Sequence, residues 1–387
     1  MARSDQTPRR ALRGSWLRRH FGMALAIEAV VLAVAVLVIA RSYVAAGIVA
    51  GVLLLLLIPV KGHSLPGWIR QWVRFARRKP IPNVPDAVPL DLVPLAEWVP
   101  GLTVSQTSAG RTGELGVIAD GRAWTAVLAL VSDDDLLADK GEKIDLDALS
   151  GLTVQDDIVF AGVQVVTYTV PAPTTVLLGG ESRAAKAYQE ISKEPPPPTM
   201  RRTWLCLRLD PRLCLEAVAL RGANHEGIYG TLRFGLHRVQ SALKRQGIET
   251  RALSPIEIYE VLSLTSGSGP EGGTHRSRER WSTWNCDGLV HSGRMVRRWG
   301  RTASTGYQAL QEAVGQAPVL FAITSYTLSP SRRASGGIRL VAPTVEGAAA
   351  ATSFVETRLK GEVAFGPASG DQVPTMLATV PLGRGVR

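Results

Sequence analysis

The sequence predicts a mixed α/β fold that follows a two-helix transmembrane hairpin. Three observations lead to this prediction: two apolar runs over 21–40 and 44–60, strand-like segments that alternate with helix-like segments from 113 onward, and an excess of positive charge within the first 79 residues. Strands that alternate with helices along a chain are typical of an α/β domain. The apolar runs and the charge indicate where this domain is held.

Each apolar run is close to the roughly 20 residues that a helix needs to cross the hydrocarbon core of a membrane. Residues 41–43 alone separate the two runs, so the second helix must return directly to the side from which the first one came. A cleaved signal peptide fits the first run poorly, because its apolar core is too long and a second run follows at once. Lysine and arginine near membrane spans favour the cytoplasmic side, and they flank the hairpin over 1–20 and 61–79. We therefore expect a multi-pass protein of the cytoplasmic membrane, with a basic cytosolic start over 1–20 and both termini in the cytoplasm.

Gly47 and Gly51 lie four residues apart in the second apolar run. This small-xxx-small spacing lets two membrane helices approach closely, so the pair is a candidate site of helix packing. The partner could be the first span or another subunit. Glycine is also common in membrane helices in general, and the spacing leaves that alternative open.

The formal net charge of +11 is located entirely beside the membrane hairpin. Residues 1–79 hold 13 lysines and arginines against two acidic residues, and the 31 basic and 31 acidic residues of 80–387 cancel. Anionic lipid headgroups are the natural partner of such a juxtamembrane charge. A charge-balanced domain lacks the basic surface of a nucleic-acid-binding protein, so we expect no nucleic acid partner.

Residues 61–79 predict a basic amphipathic helix at the membrane interface. Trp68 and Trp72 fall on its apolar face, and tryptophan is enriched at the level of the headgroups. The opposite face carries Arg70, Arg74, Arg77 and Arg78. The alternative is that this helix is simply the first of the following domain, with its apolar face in the core.

The rest of the chain predicts three segments. Residues 80–100 are rich in proline and predict an extended linker, and 101–330 predict the α/β cytosolic domain. Residues 331–387 are rich in glycine, alanine and proline, and this composition predicts partial disorder.

Within 101–330 the local patterns predict a series of strands and helices. An Asp-Gly turn at Asp120–Gly121 predicts a β-hairpin, and a capping box at Ser254 predicts the start of a helix. The predicted elements in order are a hairpin over 113–131, a short helix over 144–152, a strand over 158–167, a buried strand over 203–209, a long helix over 225–246, a short strand over 250–253, the helix from Ser254, and further strands from Arg280 onward.

Few residues in this domain suggest a catalytic, metal-binding or phosphate-binding site. Asp133 and Asp135 follow a predicted strand and could hold a divalent metal against a diphosphate, as the DxD motif of glycosyltransferases does, or they could form a solvated acidic loop. The glycine-rich stretches 267–273 and 336–337 lack the Lys-Ser/Thr ending of a phosphate loop and predict flexible loops. Three cysteines without paired spacing and six scattered histidines favour neither a disulfide framework nor a metal site. We therefore expect no catalytic residue, no metal and no cofactor.

A segment rich in arginine and tryptophan lies between 276 and 301. Both residue types are enriched at protein interfaces, which makes Arg294, Arg297 and Arg298 candidates for contact with another subunit. The alternative is a pair of two-faced strands with tryptophan in the core and arginine in solvent.

Taken together, these segments resemble the EccE family of type VII (ESX) secretion systems. The most specific piece is the stretch RTWLCLRLDP at 202–211. The other matching pieces are the tight membrane hairpin, the basic helix with Trp68 and Trp72, the WTAVL stretch at 124–128, the Asp157-Ile158-Val159 strand, the long helix, and Arg280-Trp281-Ser282. The long basic start and the glycine-rich tail depart from this pattern.

The resemblance implies a structural, non-enzymatic subunit of a secretion complex in the cytoplasmic membrane. It implies as partners an FtsK/SpoIIIE-like ATPase (EccC), EccB and the multi-span EccD. It also implies a domain similar to glycosyltransferase folds without an established catalytic site. The alternative is a membrane-anchored glycosyltransferase-like enzyme that uses Asp133 and Asp135. Similarity of fold alone does not establish an activity.

Overall fold

The computed structural model describes residues 28, 39, 44, 59–60, 63–108, 113–131, 145–171, 183, 199–222, 224–268, 276–331, 334–367 and 369–385. The chain divides into two compact units, residues 1–74 and residues 75–387.

In the first unit, Pro59–Val60 (β1) pairs antiparallel with His63–Ser64 (β2). Helix α1 (Leu65–Arg77) follows at once, and its last three residues belong to the second unit. The last two residues of the predicted second span, Pro59 and Val60, thus form a strand, and Pro59 has no N–H to continue a helical hydrogen-bond ladder. No helix among the described residues is long and apolar enough to cross a membrane. Most of 21–40 and 44–60 lies outside the described residues, so the transmembrane hairpin stays a prediction.

The second unit is built on one large sheet. Its strands are β3 (Leu102–Ser108), β4 (Glu114–Asp120), β5 (Trp124–Leu130), β6 (Val154–Gln155), β7 (Ile158–Val170), β8 (Met200–Leu209), β9 (Thr250–Ala252), β10 (Ser277–Glu279), β11 (Trp284–Cys286), β12 (Leu289–Arg298), β13 (Phe321–Leu328), β14 (Ala334–Ala342) and β15 (Ala364–Phe365). Its helices are α2 (Val93–Ala96), α3 (Leu215–Leu220), α4 (Asn224–Arg245), α5 (Pro255–Ser266), α6 (Ala303–Gly315), α7 (Val345–Arg358) and α8 (Gln372–Thr379). The mixed α/β class is therefore confirmed for this part of the chain.

The order across the sheet is β10-β11-β12-β14-β13-β7-β8-β5-β4-β3, with β15, β6 and β9 paired to β12, β7 and β5. Every strand pair among the described residues is antiparallel. Doubly wound nucleotide-binding folds are instead built on a mostly parallel sheet. The antiparallel pairing therefore lends no support to the expected likeness to glycosyltransferases.

Helices cover both faces of this sheet. Neighbouring residues of a strand point to opposite sides, so Leu205 lies in the core of the first face, under α3, α4, α6 and α7, and Cys206 in the core of the second, under α2, α5 and α8. The strand predicted over 203–209 is apolar except at Thr203 and Arg208, because both of its sides are buried.

Local signals located several elements correctly. Gly121 adopts the positive φ of +77° that the turn between β4 and β5 requires. Ser254 caps α5 in a complete capping box with Glu257. The predicted apolar face of α4 is buried through Ile228, Leu232, Leu236, Val239 and Leu243.

Two segments are more ordered than the sequence predicts. Residues 80–100 are not an extended linker throughout, because Leu92, Leu95 and Val99 are buried on the second face around α2. The expected partial disorder of 331–387 does not hold for its described residues, which form β14, α7, β15 and α8.

Two shorter segments also differ from the sequence expectation. Gly336 and Gly337 lie within β14 rather than in a loop. Glycine is needed at 336 because a Cβ atom there would overlap the Trp299 ring and the Ser325 carbonyl oxygen. The short helix predicted over 144–152 is a 3-10 turn at Ala148–Leu152.

Candidate membrane-surface helix

Helix α1 has the charge pattern of a helix that lies on a surface. Pro66 fits its first turn, where a backbone N–H has no partner in the helix. Arg70, Arg74 and Arg77 repeat at intervals of four and three residues, which aligns them along one side. The helix contains no acidic residue that could neutralise them.

The apolar side chains of α1 are accessible as well. Ile69 is 45% exposed and Trp72 is 51% exposed, and Arg70, Arg74 and Arg77 are exposed beside them. Large exposed apolar side chains on a basic helix are the arrangement with which helices bind the boundary between headgroups and acyl chains. The alternative, in which the apolar face is buried in a domain core, does not fit Ile69 and Trp72; Trp68 is half-buried.

Arg78, which the sequence groups with the membrane-facing arginines, makes a different contact. It follows the last residue of α1, and its guanidinium lies 2.5 Å from the Glu279 carboxylate and 3.6 Å from that of Asp371. The Glu279 side chain is only 3% exposed. Burial raises the pKa of Glu279, although the N–H of Val373 and the charge of Arg78 oppose the rise. Arg78 thus compensates a buried carboxylate.

The end of α1 also packs by an aromatic contact. The rings of Phe75 and Trp281 are perpendicular, with centroids 5.2 Å apart. Trp281 lies in the turn between β10 and β11, and Glu279 ends β10. Residues 75–78 are therefore held on the β10–β11 hairpin by one ring contact and one ion pair.

The three arginines predicted to form a protein interface have different surroundings. Arg294 forms an ion pair with Glu356 of α7 at 2.8 Å, and its side chain is largely buried. Burial lowers the pKa of Arg294, against the effect of Glu356. Arg297 and Arg298 are exposed and form no ion pair within the described residues. Arg294 is thus a brace between β12 and α7, whereas Arg297 and Arg298 are free for contact with another molecule.

Two of the three tryptophans of the same segment lie in the core, and Trp281 is half-buried in the β10–β11 turn. Trp284 is fully buried on the second face, where its ring centroid lies 4.7 Å from that of His291. Trp299 is buried on the first face against Tyr307 and Tyr326. The alternative with tryptophan in the core and arginine in solvent therefore fits Trp284, Trp299, Arg297 and Arg298, whereas Arg276 and Arg294 are largely buried in ion pairs.

Other predicted sites fall outside the described residues. These are Gly47 and Gly51 of the second apolar run, and Asp133 and Asp135. Within the described ranges, no group of three or more His, Cys, Asp and Glu side chains could hold a metal ion.

The three cysteines are free thiols and are buried in the second unit. Burial raises the pKa of the thiols of Cys206, Cys214 and Cys286. Because the thiolate is the reactive form, these side chains are poor nucleophiles.

Sequence reasoning missed a buried ionic cluster on the second face. Asp120 accepts ion pairs from Arg208 and Arg384, each at 2.6 Å, and its own side chain is 2% exposed. Burial alone would raise the pKa of Asp120, but the two guanidinium groups hold it at about 2. No local signal joins these three residues, because each comes from a distant part of the chain.

The cluster fixes the C-terminal segment across the second face. Leu382 accepts hydrogen bonds through its carbonyl oxygen from Thr125 and Arg208, each at 3.0 Å. The N–H of Gly383 donates to Gln164 at 2.7 Å. Residues 382–384 therefore connect β5, β7 and β8 by polar contacts.

The second face also buries Arg339 without a carboxylate partner among the described residues. Arg339 donates to the Thr379 hydroxyl at 3.0 Å and to the Thr265 carbonyl oxygen, and it lies 3.3 Å from Nδ1 of His291. Burial lowers the pKa of Arg339 to about 9. Burial and the Arg339 charge together lower the pKa of His291 well below 6.5.

One family of known proteins matches part of this chain. Residues 198–294 match the family described as "Putative type VII ESX secretion system translocon, EccE". A search of curated proteins found no match. The matched segment runs from β8 through α3, α4 and α5 into β12, and it includes the stretch at 202–211. Over residues 198–294 the chain is thus similar to the EccE family, whose description is that of a putative translocon of type VII ESX secretion systems.

Proposed function

We propose that this protein is a structural, non-enzymatic subunit of the type VII (ESX) secretion complex, which anchors and braces the assembly at the cytoplasmic membrane. The observation that carries the proposal is the EccE match over 198–294 in a chain that also presents a basic helix with exposed apolar side chains. The match supports a role in secretion, and α1 supports a position at the membrane.

The membrane role rests on two features of the first unit. The apolar runs over 21–40 and 44–60 have the length and composition of two membrane spans. Helix α1 then offers Ile69, Trp72 and three arginines to the headgroup layer. In this arrangement both termini lie in the cytoplasm, and anionic lipid is the partner of α1.

The bracing role is supported by the way the second unit uses its charges. Asp120, Glu279 and Arg294 are engaged in internal ion pairs that hold strands, helices and the C-terminal segment together. Such pairs connect the elements of the fold, and the paired groups are not available for contact with another molecule. Exposed arginines such as Arg297 and Arg298 are suited to contact with neighbouring subunits.

We propose as neighbours the FtsK/SpoIIIE-like ATPase EccC, EccB and the multi-span EccD. No observation favours the glycosyltransferase alternative based on Asp133 and Asp135.

The test is the native mass and composition of the tagged full chain, extracted in mild detergent from its own membrane. We expect a very large species that contains an FtsK-like ATPase and multi-span partners. A matched pair of variants sharpens the result: Arg297→Gln with Arg298→Gln should lower the yield of the large species, and Lys244→Gln with Arg245→Gln, an equal loss of charge on exposed residues at the end of α4, should not.

A monomer or a small homo-oligomer under the same extraction would contradict the assembly role. If the large species forms but both variant pairs give the wild-type yield, the assembly role stands and the contact through Arg297 and Arg298 is wrong.

A further inference from the structure

A cavity opens on the surface of the second unit where β12 ends and α6 begins. Its volume is 540 Å³, within the range of about 300 to 1,000 Å³ that is common for small-molecule sites. It is lined by Arg298, Gly300, Arg301, Thr305, Gly306, Gly361 and Glu362.

The charge at this cavity is mainly positive. Arg298 and Arg301 line it, are exposed, and form no ion pair within the part of the chain that the structure describes. Glu362 is the one acidic residue of the lining. Three further exposed cations lie beside these residues in the sequence: Arg297, Arg358 and Lys360. The surplus of positive charge means that an anion would complement the cavity.

The positive charge comes from side chains rather than from the start of α6. The N–H of Ala303 donates to Asp147 at 3.3 Å, and the N–H of Thr305 donates to the Thr302 hydroxyl at 3.2 Å. The N–H of Gly306 is taken by the Thr302 carbonyl oxygen. The backbone donors of Ala303, Thr305 and Gly306 are therefore occupied, and the two guanidinium groups remain available.

Two glycines of the cavity lining allow close approach of the backbone. Gly300 has a φ of +80°, and a Cβ atom there would lie 2.8 Å from the carbonyl oxygen of Glu362. A Cβ atom at Gly306 would overlap the carbonyl oxygen of Trp299. The absence of a side chain at Gly300 lets residues 298–301 approach Glu362, and the absence of one at Gly306 lets α6 start close against Trp299.

We propose that this cavity binds a phosphate-bearing anion, held by the guanidinium groups of Arg298 and Arg301. The planar guanidinium fork matches the oxygens of a phosphate and can bind them in pairs. The cavity is larger than a single phosphate, so it fits a diphosphate or a phosphate with a group attached. The site shares Arg298 with the proposed subunit contact, but anion binding is measured on the protein alone and does not depend on assembly.

The test is calorimetric titration of the full chain in nanodiscs of phosphatidylcholine with inorganic pyrophosphate at constant ionic strength. We expect saturable binding at one site. Arg298→Gln with Arg301→Gln should weaken it at least tenfold, and Lys244→Gln with Arg245→Gln should leave it unchanged. The control pair removes the same charge from exposed positions elsewhere, so it separates a built site from general attraction.

The source of the phosphate is distinguished by competition. Vesicles of phosphatidic acid in phosphatidylcholine that displace pyrophosphate from the wild type indicate a lipid headgroup, and a lack of displacement indicates a soluble ligand. The absence of saturable pyrophosphate binding, or an equal loss in both variant pairs, would overturn the proposal. Binding of a polyglutamate peptide without binding of pyrophosphate would overturn it as well, since the surface would then serve an acidic protein segment.

Discussion

Helix α1 and the sheet of the second unit differ in whether their charged side chains are exposed and whether they form ion pairs. In α1, Arg70, Arg74 and Arg77 are exposed and form no ion pair within the described residues. In the sheet, the carboxylates of Asp120 and Glu279 are buried and each is neutralised by arginine. The difference indicates that the buried carboxylates of the sheet are neutralised within the fold. Helix α1 instead presents exposed arginines and apolar side chains, which fit the surface of an anionic membrane.

The largest effect is expected where the sheet loses an internal partner. Asp120→Asn leaves Arg208 and Arg384 without a counter-charge, and removal of one partner of a buried pair costs about 3 kcal/mol of unfolding free energy. Urea unfolding of the full chain measures this. Asp156→Asn is the control, because its ion pair with Arg238 is exposed and should contribute no more than about 1 kcal/mol. Equal losses in the two variants would contradict the distinction between internal and exposed charges.

An effect of similar size, on membrane binding rather than on folding, is expected when α1 loses its charges. Substitution of Arg70, Arg74 and Arg77 by glutamine removes about 1 kcal/mol of lipid attraction for each residue. Hydrogen exchange of 65–77 in nanodiscs that contain phosphatidylserine should therefore become up to about 100-fold faster, since each 1.4 kcal/mol is a factor of ten. The same variant in pure phosphatidylcholine is the control and should show little change. An unchanged exchange rate in the anionic nanodiscs would count against the interfacial helix.

The ion pair of Arg78 lies between these two cases, because it joins an arginine next to α1 to a carboxylate of the sheet. Arg78→Met should lower the unfolding free energy by about 2 kcal/mol, as Glu279 loses a charged partner. Arg77→Met removes an exposed arginine next to it and serves as the control. If Glu279→Gln abolishes the effect of Arg78→Met, the loss arises from this pair; an undiminished effect would place its origin elsewhere.

The smallest effect concerns pH. His291 has a folded-state pKa well below 6.5, because it is buried beside Arg339. As the pH falls below about 6.5, the unfolded chain binds a proton that the folded chain does not, so stability declines by at most about 1.4 kcal/mol per pH unit. The difference in unfolding free energy between pH 7.5 and pH 5.5 should shrink in His291→Gln and not in the exposed control His237→Gln. Equal pH dependence in the two variants would refute the assignment to His291.

Sequence patterns predicted those parts of the fold that depend on neighbouring residues. The turn at Asp120–Gly121, the cap at Ser254 and the apolar face of α4 depend on spacings of a few residues, and all three are present. The apolar strand at 203–209 was also predicted, because burial on both of its faces requires apolar residues without alternation.

Contacts between distant residues could not be predicted. Gly336 was predicted to lie in a loop, because the sequence does not show that the Trp299 ring packs against it. The pairing of Asp120 with Arg384 joins a hairpin turn to the end of the chain. Arg78 carries the same charge as Arg77, and only the position of Glu279 separates their roles. In each case the deciding partner is set by strand order, which local spacing does not encode.

The most direct test of the comparison is the surroundings of Trp72 when the protein is in a membrane. An environment-sensitive fluorophore on a Trp72→Cys variant, in nanodiscs that contain phosphatidylserine, reports them, and Ile256→Cys on α5, where Ile256 is 71% exposed, is the control. The native thiols are buried, and burial raises their pKa, so they label slowly. We expect blue-shifted emission at position 72 that high salt diminishes, and water-like emission at position 256. Water-like emission at both positions would contradict the claim that α1 lies on the membrane.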